Sequence, residues 1–175
     1  ALPIYGSGKT VLLKAIAHAD DPDYRSPVPP AYRVLYRLDN AAYLPQRITL
    51  DPERTLLETV QRANPGASEQ HLRDQLARLL FRRESVHQHI GELSGGERFR
   101  AALATVLLTD PVPQLLLLDE PTNNLDISSV DWLVQALDTY TGALIIVSHD
   151  EDFCERIRID RTLSLSAKTL GEAPC

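Results

Sequence analysis

At 175 residues, 43% hydrophobic and 24% charged, the chain can bury one sizeable core and carries no compositional sign of disorder. A formal net charge of -6 gives no support to a broad nucleic-acid footprint, and no apolar run reaches membrane-span length or forms a secretory leader, so membrane insertion is not expected. The two cysteines lack CxxC spacing and the five histidines lack zinc-type spacing, which excludes a disulfide scaffold or zinc domain as the simplest reading and leaves a reduced, cytoplasmic protein.

The chain holds no methionine and opens almost inside a motif, ALPIYGSGKT. The expectation is a piece of a longer chain, or segments joined across residues lost before Gly6, with Ala1 to Ile4 supplied by an earlier strand. Lys9 to Ala17 follows a glycine-rich turn and reads as a helix. Asp20 to Pro30, rich in proline and aspartate, reads as a loop. Arg33 to Leu44 reads as extended, with a break near Asp39-Asn40. Thr55-x-x-Glu58 is a capping box that opens a short helix with Leu56, Leu57 and Val60 inward. Ser68 can cap a second helix whose stripe is Leu72, Leu76, Leu79 and Leu80. A third helix runs from near Ser94 to about Leu108. Leu115 to Leu118, too short for a helix between Pro113 and Pro121, fits a buried parallel strand. Ser129 to Tyr140 reads as helix, Ala143 to Val147 as a second buried strand, and Arg161 to Ser166 as a short edge strand. Strands separated by helices predict an α/β fold with a mostly parallel sheet and a helical insertion from about Thr55 to Gln88. His87 and His89 flank Gln88 in a polar stretch and read as a solvated segment.

In open parallel sheets ligands bind beyond the carboxyl ends of the strands. Asp119, Glu120, Ser148 and His149 all fall at such ends. Gly6-Ser7-Gly8-Lys9-Thr10 has the closing half of a phosphate-binding loop. Its glycines let successive N–H groups face an anion, and the following helix turns its positive end the same way. Lys9 would reach the β- and γ-phosphates and Thr10 would place its hydroxyl on Mg²⁺. The full pattern wants glycine where Pro3 stands, and the same residues also suit a plain glycine-serine turn. Asp119 ends an apolar run, where a carboxylate can hold Mg²⁺ directly or through water. Glu120, one residue on, points elsewhere and suits the polarising of a water. An acidic strand-to-turn junction that caps the next helix is the alternative. Leu93-Ser94-Gly95-Gly96-Glu97 has capping-box spacing, so it reads as a well-made helix start. Two glycines in a first turn cost helix stability, up to about 1 kcal/mol each against alanine. Their absent side chains leave the end N–H groups open to an anion held by another domain.

GSGKT, the glutamine of Tyr43-Leu44-Pro45-Gln46, LSGGE, LLLLDE, PTNNLD and Ser148-His149-Asp150 occur in the order of an ABC ATPase nucleotide-binding domain, which the chain resembles from Gly6 to about Leu165. The PTNNLD turn and the tail HDEDFCERIRIDRTLSL resemble the C-terminal cassette of the F subfamily, soluble twin-cassette proteins associated with the ribosome. The resemblance implies a P-loop ATPase core from residues 1–54 and 90–175, with its N-terminal strands partly missing. A helical subdomain would span 55–89, with the signature motif 93–97 at the junction. By resemblance, Gly6, Ser7, Gly8, Lys9 and Thr10 contact phosphate and Mg²⁺. Gln46 senses the metal and the γ-phosphate. Ser94, Gly95 and Gly96 form the signature that meets a nucleotide across a dimer. Asp119 is the metal-associated acid, Glu120 the catalytic base, Asp126 the D-loop aspartate and His149 the switch histidine. The expected cofactors are ATP and Mg²⁺, the expected partner is a second cassette, in one polypeptide or a homodimer, and the F-type resemblance implies a translation or antibiotic-resistance factor with the ribosome as a further candidate partner. Two other readings remain open on sequence: the ATP-binding subunit of a membrane transporter, and a degenerate module that binds nucleotide without turnover.

Overall fold

The computed structural model describes residues 8–18, 40–81, 84–166 and 169–172. Gly6, Ser7, the Asp20–Pro30 loop and the first part of the Arg33–Leu44 stretch lie outside the described residues. The leucine run becomes β2 (Leu115–Asp119), the middle strand of a parallel sheet with β1 (Ala41–Leu44) on one side and β3 (Ala143–Val147) on the other. Alternate residues of a strand face opposite ways. Leu116 and Leu118 therefore join Phe99, Leu103, Trp132 and Leu133 in the main core, while Leu115 and Leu117 face Leu13 on the far side. Cover on both faces is why β2 reads as an unbroken apolar run rather than an alternating one.

Helices cover both faces of this sheet. α1 (Lys9–Ala17) lies over one face through Leu13. α4 (Gly95–Leu107) and α5 (Ile127–Asp138) lie over the other. The crossover from β1 to β2 is long and carries α2 (Leu56–Ala63) and α3 (Glu69–Arg78), each started as the sequence predicts. Thr55 and Glu58 complete a reciprocal capping box, and Ser68 accepts from the His71 N–H at 3.2 Å. Leu56, Leu57, Val60, Leu72 and Leu76 close a second core, into which α4 inserts Ala101 and Ala104. Thus α4 has two buried faces: Phe99, Ala102 and Leu103 toward the sheet, Ala101 and Ala104 toward α2 and α3.

Two elements depart from expectation. Leu80 does not extend the buried stripe of α3: it is 59% exposed, with φ 59°. The helix ends at Arg78 in a Schellman motif, in which the Phe81 N–H donates to the Leu76 carbonyl and the Leu80 N–H to that of Ala77. That motif needs a left-handed residue, and Leu80 occupies the place. β3 is only partly buried. Leu144 and Ile146 pack on the main core, but Ile145, on the opposite face, stays 38% exposed, since the small core around Leu13 takes in Val147 and not Ile145.

Trp132 ties the two cores together. Its ring is buried in α5, its Nε1–H donates to the Leu79 carbonyl at 2.5 Å, and Phe81 meets it edge-on at 5.9 Å. The Arg100 guanidinium of α4 lies 6.0 Å from the same ring. α6 (Glu151–Arg156) follows β3, and β4 (Leu163–Ser166) forms an antiparallel pair with β5 (Thr169–Glu172). No helix among the described residues is long and apolar enough to cross a membrane.

Candidate functional site

The parity of β2 decides where the acid pair points. Asp119 is the fifth residue of the strand and shares the face of Leu115 and Leu117, toward α1. It is only 3% exposed. A carboxylate that deep needs hydrogen-bond donors for its charge. Two are present. The Thr10 hydroxyl, in the first turn of α1, donates to Oδ1 at 3.1 Å, and the Tyr43 hydroxyl donates to Oδ2 at 3.2 Å. Gly8 precedes α1 with φ 75°, a left-handed turn suited to glycine, and leads the chain into Lys9 and Thr10.

Glu120 leaves the strand differently. Its φ is 49°, so the chain turns through left-handed backbone, and its N–H is taken by the Val147 carbonyl at 2.8 Å. Its carboxylate ends 3.3 Å from His149 Nε2, beyond the end of β3. Lys9 Nζ is 3.4 Å from that same nitrogen. A single Nε2 either donates to Glu120 or accepts from Lys9, so the two contacts are alternatives between which the His149 tautomer chooses. Lys9, Thr10, Asp119, Glu120 and His149 therefore meet at one sheet edge, although they come from three separate parts of the chain. Gln46 lies exposed just past β1 on the same edge, and no hydrogen bond among the described residues draws its side chain into the cluster.

The donor set suits a small hard cation. Thr10 and Asp119 offer oxygen donors side by side at the start of a helix. Magnesium is commonly held by one or two carboxylates together with substrate phosphates. The absence of any group of three or more His, Cys, Asp or Glu side chains among the described residues is compatible with such a site.

Ser94, Gly95 and Gly96 are not part of this cluster. Ser94 caps α4 in a reciprocal box with Glu97, whose pKa is held below the ordinary range by hydrogen bonds from the Ser94 side chain and backbone. The tip adjoins the start of α5. A Cβ on Gly95 would meet open space, but one on Gly96 would lie 2.6 Å from Ser129 Oγ. Gly96 thus leaves room for the Ser129 hydroxyl where α4 meets α5, a packing reason that spacing alone does not reveal. Asp126 caps α5, accepting from the Ser129 N–H at 2.7 Å and the Ser128 hydroxyl at 2.9 Å, and these serine hydrogen bonds, Ser129 foremost, lower its pKa. Tyr43 is the residue that sequence reasoning missed at the cluster. Its only signal was its place on a strand, three residues before the glutamine.

A family model described as ABC transporter matches residues 5–123. ABC transporter F family member 5 of Arabidopsis thaliana is 36% identical over 152 residues, covering 87% of this chain and 21% of the relative. ATP-binding protein Uup of Escherichia coli K12 is 32% identical over 154 residues, covering 86% of this chain and 23% of the relative. A solved complex of archaeal ribosomal stalk protein aP1 and archaeal ribosome recycling factor aABCE1 matches with a TM-score of 0.66 and 27% identity, over 89% of this chain and 29% of that one. The chain spans 14% to 25% of the length of the first curated relatives it matches. The motif order, the parallel sheet and these matches agree: the chain belongs to the ABC transporter family, as an ATP-binding cassette similar to those of its F-type members.

Proposed function

We propose that the chain is one half of a nucleotide-driven clamp: an ATP-hydrolysing cassette of a cytoplasmic F-type ABC protein that turns over efficiently only against a second cassette. The observation that carries this reading is the meeting of Lys9, Thr10, Asp119, Glu120 and His149 at one sheet edge. Lys9 and the N–H groups around Gly8 receive the phosphates. Thr10 and Asp119 would hold magnesium, with Gln46 nearby, and the bound ion would neutralise phosphate charge. Glu120 accepts the proton of the attacking water, and His149 orients that water and the γ-phosphate. Residues 1–54 and 90–175 form the ATPase core and 55–89 the helical subdomain, a division that the second core supports, with Ile90, Leu93, Ala101 and Ala104 closing it from across the junction. Gly95 and Gly96 present open N–H groups, and Ser94 its hydroxyl, to the nucleotide of the other cassette, beside the Asp126 turn. ATP then bridges the two cassettes, and its hydrolysis releases them, so chemistry becomes motion.

Some of the relatives carry F-subfamily names, and a matched structure is a ribosome recycling factor in complex with a ribosomal stalk protein, which supports a ribosome as the load. The test is Glu120→Gln in the full-length protein. ATP binding should persist, the paired cassettes should stay closed, and turnover should fall about 10²- to 10⁴-fold, the usual worth of a general base. Unchanged phosphate release from that variant would remove Glu120 from the mechanism.

A further inference from the structure

We propose that Tyr43 is a positioning residue for the metal-associated carboxylate of Asp119. The inference rests on the reading of Thr10 and Asp119 as magnesium holders. Asp119 is 3% exposed, and its two oxygens are claimed from opposite sides, Oδ1 by Thr10 at 3.1 Å and Oδ2 by Tyr43 at 3.2 Å. Thr10 belongs to the first turn of α1, after Gly8. Tyr43 belongs to the sheet: it pairs in register with Leu117, on the neighbouring strand, and its ring packs in the small core formed with Leu13, Leu115 and Leu117. From there its hydroxyl reaches diagonally to the residue two places beyond its strand partner, on the same sheet face, a distance a long side chain can span. A carboxylate at a strand end can otherwise swing about its side-chain torsions. One donor tethers a single oxygen, whereas two donors from two different elements fix the plane of the group. Partners of this kind set the geometry of a ligand they do not share with the metal, and losing one typically weakens metal affinity about 10- to 100-fold.

Tyr43→Phe keeps the ring in its packed place and deletes only the hydroxyl. The measurement uses the full-length protein with a non-hydrolysable ATP analogue and Mn²⁺ as the probe, protein-bound ion being read from the electron paramagnetic resonance signal after subtraction of a protein-free sample of the same analogue and ion. Binding of the analogue in EDTA and the melting temperature are measured alongside. Tyr43→Phe should weaken Mn²⁺ binding about tenfold, while EDTA binding and melting hold near those of the parent. Asp119→Asn should remove the Mn²⁺ site. If Asp119→Asn removes it and Tyr43→Phe stays within about twofold of the parent, or binds tighter, the role of Tyr43 is overturned and the site stands. Equal weakening with and without metal in Tyr43→Phe also overturns it, since the hydroxyl is then merely structural. If Asp119→Asn leaves Mn²⁺ binding intact, the magnesium reading itself fails and the proposal with it.

Discussion

Asp119 and Glu120 are adjacent, yet one is sealed against α1 and the other is turned out toward His149. That both fall where an apolar strand stops was legible, because a short leucine run between prolines marks a buried strand and its end. Tyr43 and the packing role of Gly96 were not, because each depends on a partner that only strand register or helix docking supplies. The two signature glycines offer a direct contrast. Gly95→Ala meets open space and should leave stability unchanged or raise it by up to about 1 kcal/mol through helix propensity. Gly96→Ala must displace the buried Ser129 hydroxyl, 2.6 Å from the new Cβ, and should cost about 1–3 kcal/mol by overpacking. Denaturant melts of the two variants check this. Equal stability in both would show that α4 does not rest on Ser129.

At the scale of elements, helix starts were the most legible features, since Thr55, Ser68 and Ser94 all cap where their side chains predict. Helix ends were harder. Nothing in the α3 stripe announced that Leu80 would fall in a left-handed cap, because that position is ordinarily glycine. Leu80→Gly should therefore stabilise the fold by about 1 kcal/mol, the order of the penalty for a side chain in left-handed backbone. A melt that moves down instead would mean that Leu80 contributes packing in the cleft it lines with Leu107, Val112 and Tyr140. The caps also set an acid response. Hydrogen bonds from Thr55 hold the Glu58 pKa low, as those from Ser94 do for Glu97. Carboxylates depressed in the folded state contribute stability above their unfolded values, and that contribution fades as pH falls through and below roughly pH 4. Melting temperature should drop with acidification in that window. Glu97→Gln, which can still cap but cannot titrate, should flatten part of the drop.

For the molecule as a whole, the α/β class and the parallel sheet followed from apolar runs separated by helices. The burial of β3 did not, because a strand's cover depends on which helices reach it: Ile145 has the same composition context as Leu117 and a different fate. The clamp reading carries a prediction at this scale. The isolated chain should hydrolyse ATP slowly, with specific activity rising with protein concentration as copies pair. Vigorous turnover independent of concentration would contradict the need for a second cassette. Among these 175 residues there is a single tryptophan, and it bridges α5 to the end of α3 through the Leu79 carbonyl. Its indole is thus a built-in optical gauge: any sliding between the two cores must break or stretch that hydrogen bond, and the emission wavelength will register it without a label.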